Sequence, residues 1–170
     1  MANNLNDISK DHPGLVLETL DRWSRSADAF TRTLVGHAAR SLSKQGHPLA
    51  FALLGCTDAV EARVRRLSVA PDQVRVGDSV RFSFEVASAA SVDQKLVVDY
   101  ALHFRKANGL LAPRVFKLRT LTLPRRSTID ISCSIRIRHT SDRKLYLGEH
   151  RVEVLMNGKS MGTVKFNLLP

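Results

Sequence analysis

Three groups of side chains have the types and spacing to do chemistry. Asn3, Asp7 and Lys10 recur at i, i+4 and i+7, with Asn6 adjoining, so a helix would carry them as one polar stripe. Opposite a packed face of Met1, Leu5 and Ile8, that stripe suits a helix lying against DNA. It equally suits a solvated face with an Asp–Lys pair. Thr33, His37, Arg40 and Lys44 form a second stripe at i, i+4, i+7 and i+11. Lys and Arg hold phosphates by charge, and His by hydrogen bonding; the plainer reading is a basic outer face. In the third group, His103, Arg105, Lys106 and Asn108 gather at a predicted hairpin end, followed by Arg114, Lys117 and Arg119. A loop of this chemistry can enter a groove or clamp a backbone. Arg136, Arg138, Arg143 and Lys144 read instead as strand-edge charges that discourage edge-to-edge pairing.

Other chemistries lack their residues. The sequence has no phosphate-cradling glycine loop, no HExxH, no clustered Cys/His ligands and no Gly-x-Ser-x-Gly. No cofactor or metal is expected, and His37 has no second ligand at metal spacing. Cys56 and Cys133 stand far apart and read as buried thiols in a reducing compartment. Asp99 interrupts the apolar LVVDYAL and reads as a structural carboxylate, with His103 or an arginine from another strand as its expected partner. No apolar run approaches the roughly 20 residues of a membrane span, and the N-terminus has no signal-like core. A cytoplasmic protein that does not engage a membrane is expected.

The net charge is +10 over 170 residues, and it is unevenly placed. Residues 1–57 hold 6 Lys+Arg against 5 Asp+Glu, a net of +1, whereas residues 58–170 hold 20 against 11, a net of +9. A basic segment of this kind favours polyanions through long-range attraction and counterion release.

The elements that must position these groups differ between the two segments. Residues 1–57 read as helices. Pro13 opens an element in which Val16, Leu20 and Trp23 share a face, and Trp23 is expected to plug the core. Ser24 to Ala27 make a break. Residues 28–44 read as the longest helix, with Phe30, Leu34, Val35, Ala38 and Leu42 as its apolar side. Gly46 stops it and Pro48 opens a last short helix. Tight turns between helices of this length suggest antiparallel pairs of a helical solenoid. Too few pairs are present to bury a continuous core, so either the segment is cut from a longer array or its helices pack on the other domain.

From Glu61 the period becomes two. Val80, Phe82, Phe84 and Val86 alternate, as do Leu96, Val98, Tyr100 and Leu102. So do Ile129, Ile131, Cys133, Ile135 and Ile137, and then Val152, Val154 and Met156. Turn signals at Gly77–Asp78, Asn108–Gly109 and Asn157–Gly158 separate them. Roughly seven short strands with no helix between them suggest a two-sheet antiparallel sandwich of immunoglobulin-like architecture. The expected fold is therefore α+β in two segments, with the boundary between residues 57 and 58. The last strand runs almost to Pro170, so that end reads as a true terminus.

The segment NNLNDISKDHP resembles a recurrent stretch of the HEAT-like DNA alkylation repair proteins, the alkylpurine glycosylases of the AlkC and AlkD type. TRTLVGHAARSLSKQGHPLAFALLG resembles their next helix pair. KLVVDYALHFRKANGLLAPRVFKL, with GEHRVEVLMNG further on, resembles the immunoglobulin-like C-terminal domain of one AlkC branch. The resemblance implies a HEAT-like array that grips duplex DNA and cleaves the bond between deoxyribose and an alkylated base. The sandwich would be a second DNA-holding surface. Two departures stand out. Most of the array is missing, so a further N-terminal helical region of the same protein is an expected partner. Gly36 also stands where a larger, often basic residue is expected, which removes one phosphate contact.

An alkylated base leaves with its positive charge neutralised, so the enzyme must chiefly stabilise an oxocarbenium-like sugar and place a water. A carboxylate on a rigid helix can do the first, and within the resemblance Asp7 is the catalytic candidate. Asn3, Asn6, Lys10, His37, Arg40, Lys44, Arg105, Lys106, Asn108 and Lys117 are the candidate DNA contacts. The chain alone is expected to bind double-stranded DNA without full activity. The alternative is a non-enzymatic immunoglobulin-like module that binds proteins.

Overall fold

The computed structural model describes residues 1–25, 28–57, 59–141 and 144–170. Arg143 and the end of the predicted break, Ser26 and Ala27, lie outside the described residues.

Among the described residues, five short helices come first: α1 (Ala2–Ile8), α2 (Pro13–Ser24), α3 (Ala29–Ala38), α4 (Arg40–Lys44) and α5 (Pro48–Leu53). Pro13 and Pro48 open α2 and α5, where a missing N–H costs nothing. Asp28 caps α3, accepting from the amides of Phe30 and Thr31. Val16, Leu17, Leu20, Val35, Ala38, Ala39, Leu42 and Ala50 form the helical core, with Trp23 packed against it as expected.

Three helical expectations need correction. The helix predicted over 28–44 is broken at Ala39, which ends α3 and begins α4. Phe30 is not on a buried side; it is 76% exposed. On α1 the inward face is not Met1, Leu5 and Ile8. Ala2 and Leu5 pack on the core, Ser9 is buried, and Met1 and Ile8 are exposed. The rotation follows from Asn6, which is drawn inward to the break between α3 and α4.

Eight strands follow among the described residues: β1 (Ala62–Ala70), β2 (Gln73–Val74), β3 (Ser79–Ser88), β4 (Gln94–Arg105), β5 (Leu111–Leu123), β6 (Thr128–Arg136), β7 (Gly148–Met156) and β8 (Lys159–Leu168). They form a three-stranded sheet ordered β1-β3-β6 and a five-stranded sheet ordered β2-β8-β7-β4-β5. The alternating residues of both sheets meet in one apolar cluster, with Phe82, Phe84 and Ile131 from one and Leu96, Val98, Val152 and Phe166 from the other. Phe82 and Tyr100 touch across it, ring centroids 5.1 Å apart. The pairing is not wholly antiparallel. Two-residue β2 runs parallel to the end of β8, because backbone bonds from Asn167 to Asp72 and from Leu169 to Val74 hold it there.

The helices meet the outer face of the five-stranded sheet. Phe51, Cys56 and Val97 make a small apolar joint, with Leu54 against it. Asn157 fastens that joint: Oδ1 accepts from the Val97 amide at 2.9 Å and Nδ2 donates to the Thr57 carbonyl at 3.1 Å. Cys133 is only half-buried, unlike the fully buried Cys56.

Candidate nucleic-acid interface

The second helical stripe and one residue of the hairpin group converge. His37 on α3, with Arg40 and Lys44 on α4, lines a cleft of about 220 Å³ whose far wall is Val97 and Asp99 of β4 and Lys117 of β5. The break at Ala39 turns α4 so that Arg40 and Lys44, one helical turn apart, border the same space. Gly36 also lines this cleft. A Cβ there would meet nothing nearer than Leu54 Cδ2 at 3.7 Å, so there is room for the larger residue that the resemblance leads one to expect.

The electrostatics of the cleft are not those of a closed ion pair. Burial lowers the pKa of Lys44, Arg40 adds to the lowering, and Asp99 opposes it. Burial raises the pKa of Asp99, against the pull of Lys117, the Leu118 amide and Lys44. Asp99 is 3% exposed, and its Oδ1 has no hydrogen-bond partner. The expected partner His103 is engaged elsewhere, its Nε2 lying 2.7 Å from Glu153 Oε2. What surrounds Asp99 instead is a group of cations that leave room for a further acceptor.

The other expected contacts are distributed differently. On α1, Asn6 is not free for a phosphate. Its Nδ2 donates to the His37 carbonyl at 3.0 Å and its Oδ1 accepts from the Ser41 amide at 3.1 Å, bridging the α3–α4 break. Asn3 is exposed. Asp7 and Lys10 are exposed and bonded to each other at 2.7 Å, and the pKa of Lys10 is raised by its hydrogen bond to Asp7. Thr33 turns its hydroxyl to the Ala29 carbonyl and does not line the cleft.

At the β4–β5 turn, Asn108 Oδ1 accepts from the Leu110 amide at 3.1 Å, so its side chain is spent in part on shaping the turn. Arg105 is half-buried, its guanidinium lying over Gly148 and near Gly109. Lys106 is exposed. Arg105 and Lys106 border a shallow cleft with Arg114, Lys144 and Tyr146, so Lys144 joins this group as well as marking an edge. Lys144 Nζ sits 5.8 Å from the Tyr146 ring centroid, and Arg114 Cζ 5.7 Å from that of Phe116.

A cavity of about 880 Å³ between α2 and α5 is of another character. Leu17, Leu49, Leu53, Glu18 and Asp21 line it, and no lysine or arginine does among the described residues. That lining does not suit a polyanion. The described residues contain no group of three or more potential metal ligands, and no helix among them is long and apolar enough to cross a membrane.

Sequence reasoning assigned Asp99 to structure and missed its place in the cleft. The signal was present as a carboxylate on a doubly buried strand, but only the docking of the helices makes it part of a site.

Comparison with known proteins agrees with the resemblance read from the sequence. "Uncharacterized protein YhaZ" of Bacillus subtilis (strain 168) is 33% identical over 168 residues, which are 99% of this chain and 46% of that protein. The solved structure of the Pseudomonas fluorescens alkylpurine DNA glycosylase AlkC, bound to DNA containing an abasic site analogue, superposes with a TM-score of 0.94 at 38% identity. It covers 99% of this chain and 47% of that one. The chain thus spans a little under half the length of either relative. A β-glucosidase of Erythrobacter marinus matches 64% of the chain, and 15% of its own length, at a TM-score of 0.55 and 11% identity, a likeness of fold alone. Residues 63–170 match the family model for the "Uncharacterised protein YhaZ, C-terminal Ig-like domain". The chain belongs to that family, and its similarity to the DNA alkylation repair glycosylase AlkC extends over nearly its whole length.

Proposed function

We propose that this chain is the DNA-holding portion of an alkylation repair glycosylase, with HEAT-like helices in residues 1–57 and an immunoglobulin-like sandwich in residues 58–170. One observation carries the reading. Arg40 and Lys44 from the helices and Lys117 from the sheet border a single cleft, so both segments can grip the same phosphate run of a duplex. The β4–β5 turn, with Arg105 and Lys106, lies along the same β5. From Leu111 to Lys117 is six residues, about 20 Å of strand, well inside one helical turn of about 34 Å. That spacing is within the reach of one duplex. The AlkC structure holds DNA, which supports the same reading here.

Base excision is assigned to the longer protein, in the cytoplasm. Asp7, fixed on a helix that Asn6 pins, keeps its proposed role beside the sugar only within that larger cleft. The chain alone is expected to bind duplex DNA with steep salt dependence and to release little or no methylated base.

The test is fluorescence anisotropy with a labelled duplex of about two helical turns over a range of salt. Lys44→Ala with Lys117→Ala should weaken binding by at least about tenfold and lower the salt slope by about two, one for each phosphate left without its cation. Unchanged affinity in that double variant would move DNA to another face or favour a protein-binding module.

A further inference from the structure

We propose that Asp99 is the proton-carrying ligand of the cleft: Oδ1 of its protonated carboxyl donates a hydrogen bond to a backbone phosphate held by Lys44 and Lys117, so that DNA binding takes up one proton from solvent. The proposal rests on the nucleic-acid reading above and adds a ligand to it.

The geometry begins at an irregularity in the sheet. The register between β4 and β5 shifts between Val98, opposite Arg119, and Asp99, opposite Lys117, which leaves Leu118 unpaired across the ladder. The Leu118 amide there favours the charged form of Asp99. Asp99 lines the cleft, and its Oδ1 is buried and has no hydrogen-bond partner.

A phosphodiester offers only acceptors, so an ionised Asp99 beside it would face a second negative charge with nothing to accept from. A like charge close by favours the neutral form of a carboxyl, and the neutral form supplies the missing O–H donor. The groups around Asp99 allow this. Lys44 and Arg40 face the cleft from α4, His37 from α3 and Lys117 from β5. An arriving phosphate engages these cations and weakens their hold on the Asp99 anion. On the same sheet face, His103 of β4 and Glu153 of β7 are already bonded to each other. Burial raises the pKa of Asp99 before any ligand arrives.

The test uses the 170-residue chain and the duplex described above, at constant ionic strength between pH 5.5 and 8. Affinity should rise as pH falls, with a slope approaching about tenfold per pH unit. Calorimetry in buffers of different ionisation heat should count close to one proton taken up per complex. Asp99→Asn, which keeps the donor and removes the titration, should bind at pH 8 at least as tightly as the wild type and lose that proton. His37→Gln should keep it. A second measurement avoids the variants: the carboxyl ¹³C resonance of Asp99 in the wild-type chain should move to its protonated position when DNA is added. An Asp99 resonance that stays ionised in the complex overturns the proposal, as does undiminished proton uptake by a folded Asp99→Asn variant. If instead Lys44→Ala with Lys117→Ala leaves affinity unchanged, the nucleic-acid reading of this cleft is what fails.

Discussion

Gly46, just beyond α4, and Gly158, at the tip of the β7–β8 turn, lie so close that a Cβ on Gly158 would stand 2.7 Å from the Gly46 Cα. Both have positive φ, 78° and 75°. A side chain at Gly158 would also press on the Phe51 ring at 3.1 Å, which belongs to the joint between helices and sheet. Gly158→Ala is therefore expected to cost about 2–4 kcal/mol, from the left-handed backbone and the overlap together. Urea unfolding followed by circular dichroism measures it. A change below about 0.5 kcal/mol, the usual size of a bland surface substitution, would contradict the close approach.

Asn6 closes the break between α3 and α4 from outside, so its loss should be felt as stability more than as DNA affinity. Asn6→Ala leaves the His37 carbonyl and the Ser41 amide unmatched by side chain, at a cost of about 1–2 kcal/mol. Asn3→Ala, on the exposed side of α1, should leave the melting temperature unchanged. Equal melting temperatures for the two variants would show that the Asn6 bridge holds nothing.

How far the site could be read from sequence depended on whether its parts lay within one element. The strand runs around Phe82, Val98 and Val152 were legible because a period of two is a local property, and each run does supply the shared core. The stripe of His37, Arg40 and Lys44 was legible for the same reason, even though Ala39 divides the helix that carries it. The face of α1 was misread because Met1 and Ile8 are apolar, whereas the deciding contact is polar and made by Asn6 to residues more than thirty positions away. Asp99 shows the same limit. Its burial followed from LVVDYAL, but its neighbours Lys44 and Lys117 come from other elements, and no spacing along the chain places them there.

Arg105 and Lys106 were grouped by sequence, yet the fold separates their roles. The Arg105 guanidinium covers Gly148, where a Cβ would meet its Nη1 at 3.3 Å. Arg105→Ala should then lower stability by about 1 kcal/mol by removing that packing, as well as weakening DNA binding. Lys106→Ala, at an exposed position, should change only the binding, by about one unit of salt slope. Thermal melts beside anisotropy titrations separate the two effects. Identical behaviour of the two variants in both assays would refute the distinction.

Two buried titratable side chains, His150 and Asp99, should tilt stability against pH in opposite senses. His150 is 1% exposed, stacked on Phe166 at 5.4 Å, with Nε2 donating to the Tyr146 carbonyl and Nδ1 accepting from the Arg105 amide. The ring is therefore neutral. Burial holds its pKa below the ordinary 6.5, with the Tyr146 carbonyl opposing and Arg105 assisting. A depressed pKa contributes stability that is present above about 6.5 and is lost as pH falls from there through the folded value. Asp99 has a raised pKa, so what it contributes is present below its ordinary 3.8 and is lost as pH rises through the folded value. Once ionised above its folded value, Asp99 carries a buried charge whose Oδ1 has no hydrogen-bond partner. Asp99→Asn should raise the melting temperature at pH 8 by about 2–4 °C, equivalent to about 1 kcal/mol. His150→Gln should lower it at pH 8 and flatten the loss between pH 7 and 5. Melting curves at several pH values for the two variants and the wild type give both signs. A fall in melting temperature for Asp99→Asn at pH 8 would mean that Lys44 and Lys117 stabilise the ionised carboxylate by more than its burial costs.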